Sequence, residues 1–172
     1  IAVPTPLTEN RKPDLTYVES AAKILGRSLK KSALIINEST SYPGTLRNII
    51  APIINSLSSD VVHHNFAISP ERVDPGNEDW NIKNTARLFA GLTPSANVKT
   101  RAFYEKFCDT LIEVSSPEVA EAAKLFENTF RQVNIALVNE LALITRDLGI
   151  SVHETIDAAA SKPYGFMKFT PG

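Results

Sequence analysis

Residues Ala33-Leu34-Ile35-Ile36-Asn37-Glu38-Ser39-Thr40-Ser41-Tyr42-Pro43-Gly44 decide the fold. Ala33 to Ile36 is a continuous apolar run between polar residues, the pattern of a strand buried on both faces. It empties into a turn cluster, Ser39 to Gly44. A helix is predicted from Thr45 to Leu57, with Ile49, Ile50, Ile53 and Ile54 on its apolar face. Upstream, Asp14 can cap a helix running to Lys30, in which Val18, Ala21, Ala22, Leu25 and Leu29 recur at helical spacing. Before it, Ile1-Ala2-Val3 reads as a short buried strand entering the loop Pro4-Thr5-Pro6. Downstream, Asn65 to Ile68 is a further strand, entering the loop Ser69-Pro70-Glu71-Arg72-Val73-Asp74-Pro75-Gly76-Asn77. Arg87 to Leu92 and Thr110 to Val114 read as two more strands, with a helix from Ala96 to Phe107 between them. Strand alternating with helix implies an α/β sheet, mostly parallel, with right-handed crossovers.

After Val114 the pattern changes. Ser116 is a good N-cap, Pro117 a good first helical residue, and Glu118 suits the first turn. Nothing then breaks the helix before Leu148. Val119, Ala123, Phe126, Phe130, Val133, Leu137, Ile144 and Leu148 form one stripe. At ~1.5 Å per residue the helix spanning 116–148 is roughly 50 Å long. That is longer than a small sheet needs, so its apolar face is expected to pack on something else as well. Gly149 ends it. Ser151 and Glu154 form a capping box for a second helix through Ala160, which Lys162-Pro163 stops.

Composition narrows the function. The 172 residues suit one large domain or two small ones. Apolar residues at 43% and charged residues at 22% are ordinary for a globular protein with a core. Eighteen basic against nineteen acidic side chains give a net charge of −1, which argues against a nucleic-acid partner. No apolar run approaches the ~20 residues that span a bilayer, so no membrane partner is expected. A single cysteine excludes an internal disulfide and favours a reducing compartment, the cytoplasm. Ile1 and Pro171-Gly172 both read as interrupted elements, so the chain is expected to be a piece of something longer.

Ligands of an open parallel sheet bind beyond the carboxyl ends of its strands. Three polar loops are expected on that rim: Pro4 to Pro6, Ser39 to Gly44, and Ser69 to Asn77. Taken one at a time, their Pro and Gly residues are also what any turn requires. Lys124 and Asn128 lie four apart on the long helix and share a face, and Arg131 extends that line. Two readings of it are open: a solvated helix face, or a polar strip aimed at the rim that could stabilise an oxyanion or hold a water. His63 and His64, adjacent in a strand, would point to opposite faces and could not chelate one metal together. His153 stands alone, so no metal site is expected. Cys108 has no base in its sequence neighbourhood and reads as a buried, inert thiol rather than a nucleophile. No glycine-rich phosphate loop or hydrolase elbow is present.

In order along the chain, several motifs together resemble the UDP-glucose/GDP-mannose dehydrogenase family. They are Ile1-Ala2-Val3-Pro4-Thr5-Pro6, Glu38-Ser39-Thr40 with Pro43-Gly44-Thr45, and the Ser69 to Asn77 loop. Ser115-Ser116-Pro117-Glu118-Val119-Ala120-Glu121, Lys124 to Arg131, Asn139-Glu140-Leu141-Ala142 and Lys162-Pro163-Tyr164-Gly165-Phe166 complete them. The Ser-Pro-Glu loop and the Lys162 to Phe166 tail are most similar to the branch that oxidises UDP-N-acetylhexosamines. The resemblance implies the late half of a Rossmann-like NAD-binding domain in 1–114 and the start of a central helical dimerisation domain in 115–172. It also implies a homodimer through the helix 116–148. By the same resemblance, the family's Gly-x-Gly-x-x-Gly turn lies upstream of Ile1 and its catalytic Gly-Gly-x-Cys loop downstream of Gly172. Cys108 does not match that cysteine, so the chain by itself is expected to be inactive.

Family chemistry, as the resemblance implies it, oxidises the C6 alcohol of a UDP-sugar to a carboxylate with two NAD+. An aldehyde is captured by the cysteine as a thiohemiacetal, and water hydrolyses the thioester that follows. Thr5 and Thr40 match rim residues near the cofactor, with Ser39 beside them as a further cofactor-binding candidate, and Thr40 would help position the water. Glu71 matches the carboxylate that orients or deprotonates this water, with Arg72 next to it on the substrate side. Lys124 and Asn128 match the pair that stabilises the oxyanion. Tyr164 and Phe166 match the start of the segment that meets the nucleotide sugar. In the UDP-glucose branch a second acidic residue stands late in the Ser-Pro-Glu loop; here Pro75 holds that place and Asp74 is adjacent. Two rivals are a 6-phosphogluconate-type β-hydroxyacid dehydrogenase, which also follows a Rossmann domain with Lys-x-x-x-Asn, and a non-catalytic helical dimerisation module. The Ser69 to Gly76 loop argues against the first.

Overall fold

A computed structural model describes residues 1–59, 63–74 and 76–172. They form two compact units, Ile1–Leu125 and Phe126–Gly172. In the first unit the strands are β1 (Leu34–Asn37), β2 (Asn65–Ile68), β3 (Arg87–Gly91) and β4 (Leu111–Glu113). They form one mixed sheet in the order β1-β2-β3-β4. β1 with β2 and β3 with β4 are parallel, while β2 and β3 are antiparallel, Ala67 opposite Gly91 and Ile68 opposite Ala90. The antiparallel pair has a local cause. A parallel return needs a crossover, usually helical, to carry the chain back along the sheet. The described residues between Ile68 and Arg87 hold no helix, so the chain turns back from the end it has just left.

Ile1 to Val3 lies beside β1 without being a regular strand. The Ile1 amino group donates to the Ile36 carbonyl at 2.6 Å and the Glu38 N–H to the Ile1 carbonyl at 2.8 Å, the bond pattern of a parallel pair. The loops that follow this segment, β1 and β2 therefore leave from one end of the sheet.

Helix α1 (Thr16–Ser28) starts two residues after Asp14, whose carboxylate accepts the Thr16 N–H at 2.9 Å. The helix predicted from Thr45 opens as a π-helical turn, Leu46–Ile50, and only then becomes α2 (Ala51–Leu57). Pro52 accounts for the wide turn. It has no N–H to give the carbonyl four residues back, and its ring crowds that carbonyl. The Ala51 N–H reaches instead to the Leu46 carbonyl, five residues back. Val18 and Ala22 of α1, Ile50 and Ile54 of the second helical segment, Ile35 of β1 and Phe66 and Ile68 of β2 form the core. A fully buried Val, Ile or Phe stabilises by about 1.5–3 kcal/mol. On β3 packs α3 (Pro94–Tyr104), started by the Thr93 hydroxyl accepting the Ala96 N–H at 3.2 Å.

Helix α4 (Pro117–Asp147) begins in this unit. In the second unit it ends at Gly149, whose φ of +71° suits glycine. There the Ile150 N–H bonds back to the Thr145 carbonyl at 3.0 Å. Helix α5 (Val152–Ala160) follows, its Ser151 hydroxyl accepting the Glu154 N–H at 3.3 Å. The tail folds back within the unit, with Phe169 edge-on to Phe130 and Lys168 paired to Asp157. Phe126, Val133, Leu137, Ile144 and Leu148 are each more than half exposed. No helix among the described residues is long and apolar enough to cross a membrane.

Candidate functional site at the sheet rim

The rim is organised by Asn37, the last residue of β1 and fully buried. Its amide donates to the Ser39 carbonyl at 3.3 Å and the Ser41 hydroxyl at 3.2 Å, and its oxygen accepts the Ser39 N–H at 3.3 Å. This shapes the loop that holds Thr40. Ser39 in turn accepts the Val3 N–H at 2.8 Å and so ties the first loop to the second. The third loop joins through backbone bonds from Ser69 to Asn37, 2.9 Å, and from Glu71 to Glu38, 3.2 Å.

Two clefts open here. One of about 350 Å³ is lined by Ala2, Val3, Pro4, Glu38, Ser39 and Glu71. Another of about 480 Å³ is lined by Ile1, Leu34, Ile36, Glu38, Glu71, Ile82, Phe103, Tyr104 and Phe107. Residues from all three predicted rim loops thus meet in the first cleft, and Glu38 and Glu71 border both. Thr5, Thr40 and Arg72 are half-buried on the same loops. The Arg72 guanidinium donates to the Ala86 carbonyl at 2.7 Å. Pro75 lies outside the described residues.

The electrostatic centre is Arg87, which the sequence reading passed over. Because β3 runs antiparallel to β2, its first residue arrives at the rim. The Arg87 side chain is only 5% exposed. It donates to Ser69 Oγ at 2.8 Å, to Glu71 Oε2 at 3.1 Å and to Glu38. The Tyr104 ring lies against its guanidinium at 4.3 Å, and the Tyr104 hydroxyl donates to the same Glu38 oxygen. Burial and the Glu38 carboxylate push the Tyr104 phenol up, so it stays a donor. Burial pulls the Arg87 guanidinium down, but Tyr104, Glu38 and Glu71 more than reverse this. The available signal was a charged residue opening an apolar strand, since a buried charge demands partners.

Helix α4 is joined to the rim by two glutamates. The Glu121 carboxylate, 1% exposed, accepts the Gly44 N–H at 2.6 Å, the Leu46 N–H at 3.0 Å and the Ser41 hydroxyl at 3.3 Å. Gly44 has a φ of +93°, a conformation that only glycine adopts readily, and it aims its N–H at this carboxylate. Glu118 pairs with Arg47 at 2.7 Å, and that bond holds its carboxyl down to about 2. Half-buried Lys124 is one turn beyond Glu121 on α4. Asn128, Tyr164 and Phe166 belong to the second unit, where all three are exposed; Lys162 lies over the Tyr164 ring at 4.8 Å.

His63 and His64 precede β2 rather than lying in it. His64 accepts the Ala33 N–H at 3.3 Å and faces Ser58 Oγ at 3.1 Å, a structural use of the ring. Cys108 is buried against the Ile82 carbonyl at 3.4 Å, and burial pushes its thiol up. Among the described residues no cluster of three or more His, Cys, Asp or Glu side chains is arranged to hold a metal ion.

Residues 1–108 match the profile of the UDP-glucose/GDP-mannose dehydrogenase family, NAD binding domain. Residues 118–172 match that of the same family's central domain. The chain belongs to the UDP-glucose/GDP-mannose dehydrogenase family. It is 37% identical over 175 residues to the UDP-N-acetyl-D-glucosamine 6-dehydrogenase of Pseudomonas aeruginosa, covering all of this chain and 41% of that protein. It is 40% identical over 172 residues to the UDP-N-acetyl-D-mannosamine dehydrogenase of Escherichia coli K12, covering 95% of this chain and 41% of that one. Among solved structures, the UDP-D-ManNAc dehydrogenase from Pyrococcus horikoshii superposes with a TM-score of 0.86 at 35% identity, over 98% of this chain and 40% of that chain. The chain therefore spans about two fifths of the length of these family members. NAD is the cofactor of the domain type to which residues 1–108 belong.

Proposed function

We propose that this chain is part of an NAD-dependent nucleotide-sugar 6-dehydrogenase that oxidises the C6 alcohol of a UDP-N-acetylhexosamine to the uronic acid. The observation that carries the reading is the rim cleft shared by Pro4, Ser39 and Glu71, in a chain that matches both the NAD-binding and the central domains of the family. The names of the relatives at 37% and 40% identity favour the N-acetylhexosamine over UDP-glucose. Residues 1–114 belong to the NAD-binding domain in this reading and 115–172 to the central one.

The cleft chemistry suits one end of NAD. Its carboxylates would accept ribose hydroxyls and tolerate a cationic nicotinamide, whereas they would repel the pyrophosphate. Thr5, Ser39 and Thr40 would hold the cofactor, which when bound accepts the hydride. Oxidation of the alcohol to the carboxylate would remove two hydrides from C6, one to each of two NAD+, and add one oxygen from water. Glu71 and Thr40 hold that water, with Arg72 on the substrate side. Lys124 and Asn128, one helical turn apart in sequence, stabilise the oxyanion. Tyr164 and Phe166 approach the nucleotide sugar. The catalytic thiol comes from outside these residues, because Cys108 is buried, and the 172 residues alone turn over no nucleotide sugar.

The test is to follow NADH with the full-length protein and UDP-N-acetylglucosamine, UDP-N-acetylmannosamine or UDP-glucose. The expected result is two NADH per sugar with an N-acetylhexosamine. No NADH with any of the three would reject the reading.

The apolar stripe of α4 in the second unit supports a homodimer in which α4 pairs with its copy. Sedimentation equilibrium should return the mass of two chains. A monomer persisting at high concentration would count against the pairing.

A further inference from the structure

Glu71 is gripped from two sides. Its Oε1 accepts the N–H groups of Arg72 and Val73, each at 2.8 Å, and its Oε2 accepts from Arg87 at 3.1 Å. Those bonds hold the carboxylate in one rotamer. The Glu71 side chain is still 44% exposed, so Oε2 keeps a lone pair for a ligand in the clefts that Glu71 borders.

Arg87 makes this hold possible and is itself costly to maintain. A buried ion pair gives little net stability, and apolar residues of like volume usually serve packing as well or better. Yet here a nearly buried guanidinium is fixed by Glu38, by Ser69 Oγ and by the face of Tyr104. Each of these contacts aims its remaining edge at Glu71. The anchor is rigid, and the group it holds is the one exposed to the cleft.

We propose that Arg87 is a positioning residue for the reaction: anchored by Glu38, Ser69 and Tyr104, it fixes Glu71 as a charged acceptor that orients the attacking water rather than taking its proton. This rests on the dehydrogenase reading above. Oriented this way, the water keeps a hydrogen bond to Oε2 while its oxygen bonds the thioester carbon and the carbon–sulfur bond breaks; one of its protons goes to the departing thiolate and the other to solvent.

The titratable and charged groups around Glu71 agree. They are Glu38 after β1, Arg72 beside it, Arg87 on β3, Tyr104 on α3 and Cys108 after α3. Burial raises the Glu71 carboxyl, but the Val73 N–H, the Arg87 charge and the Arg72 N–H outweigh it and hold it below the usual carboxylate value. Glu71 thus stays ionised to lower pH than an ordinary carboxylate, which suits an acceptor and makes it a weaker base.

Two variants test this, Arg87→Met, which removes the charge, and Arg87→Lys, which keeps the charge and loses the fork. In the present chain, the Glu71 carboxyl is titrated by carbon-13 NMR. Its midpoint should rise by about one pH unit or more in Arg87→Met and stay below the ordinary value in Arg87→Lys. In the full-length enzyme, both variants should lose roughly tenfold or more in kcat, with KM for the nucleotide sugar nearly unchanged. An unmoved midpoint in folded Arg87→Met would overturn the proposal, as would undiminished kcat in Arg87→Lys. If Arg87→Met does not fold, Arg87→Lys decides by kcat, and Glu38→Gln, which loosens the anchor, should lower kcat in the same way. Should the wild-type enzyme yield no NADH with any nucleotide sugar, the functional reading falls, while the NMR midpoint still judges the grip of Arg87 on Glu71.

Discussion

Replacing Lys124 with Ala in the full-length enzyme should lower kcat by about 10²–10³, while binding of the nucleotide sugar falls only a few-fold. The size follows from what an oxyanion demands. A donor preorganised where negative charge develops contributes about 3–4 kcal/mol to the transition state and much less to the ground state. A cationic amine meets that demand, and alanine leaves the charge to water. The fold supports this choice of residue. Lys124 is half-buried one turn beyond Glu121, whose carboxylate is bound to Ser41 and Gly44 of the rim loop and to Leu46 of the π-helical turn. Steady-state kinetics with NADH readout, beside direct binding of the nucleotide sugar, separates the cases. If kcat is unchanged, Lys124 belongs to a solvated helix face.

Legibility differed by element, for physical reasons. The runs Leu34–Asn37 and Asn65–Ile68 are strands because each is a short apolar segment bounded by turn residues. That pattern is local, and so it is readable. The long helix was equally plain, since Ser116, Pro117 and Gly149 mark its ends and nothing between them breaks it. The direction of β3 was not readable. Parallel and antiparallel strands share one hydrophobic pattern, and only the connection before β3 decides between them. That hidden direction also hid Arg87. Read as one more parallel strand, β3 would begin at the opposite end of the sheet from the loops. Run antiparallel, it delivers a guanidinium between Glu38 and Glu71. The π-helical turn was concealed in a similar way, because Ile49, Ile50, Ile53 and Ile54 fit a helix whether or not Pro52 widens it. The three rim loops could be listed together from topology, but the tie of the first to the second through Ser39 and the shaping of the second by Asn37 depend on side-chain bonds that no periodicity records.

Glu121→Ala should destabilise the Ile1–Leu125 unit by about 3 kcal/mol and lower its melting temperature by roughly 10 °C. The cost comes from what is left behind. The Gly44 and Leu46 N–H groups sit at the start of the π-helical turn, where no helical carbonyl can receive them, and both bond to this one carboxylate. Alanine leaves two buried donors unmet, at about 1–3 kcal/mol each. The Ser41 hydroxyl keeps the bond it accepts from the Asn37 amide and loses only the one it donates to Glu121. The Arg47–Glu118 pair cannot compensate, being half-exposed and so of small worth. Urea or thermal unfolding of the chain measures the loss. The same change should lower kcat in the full-length enzyme at temperatures where the variant is still folded, because the first turns of α4 no longer have a fixed bond to the loop carrying Thr40. Glu118→Ala is the control. It removes an exposed pair on the same helix and should cost well under 1 kcal/mol. Equal losses in the two variants would show that the buried carboxylate does not pin α4 to the rim.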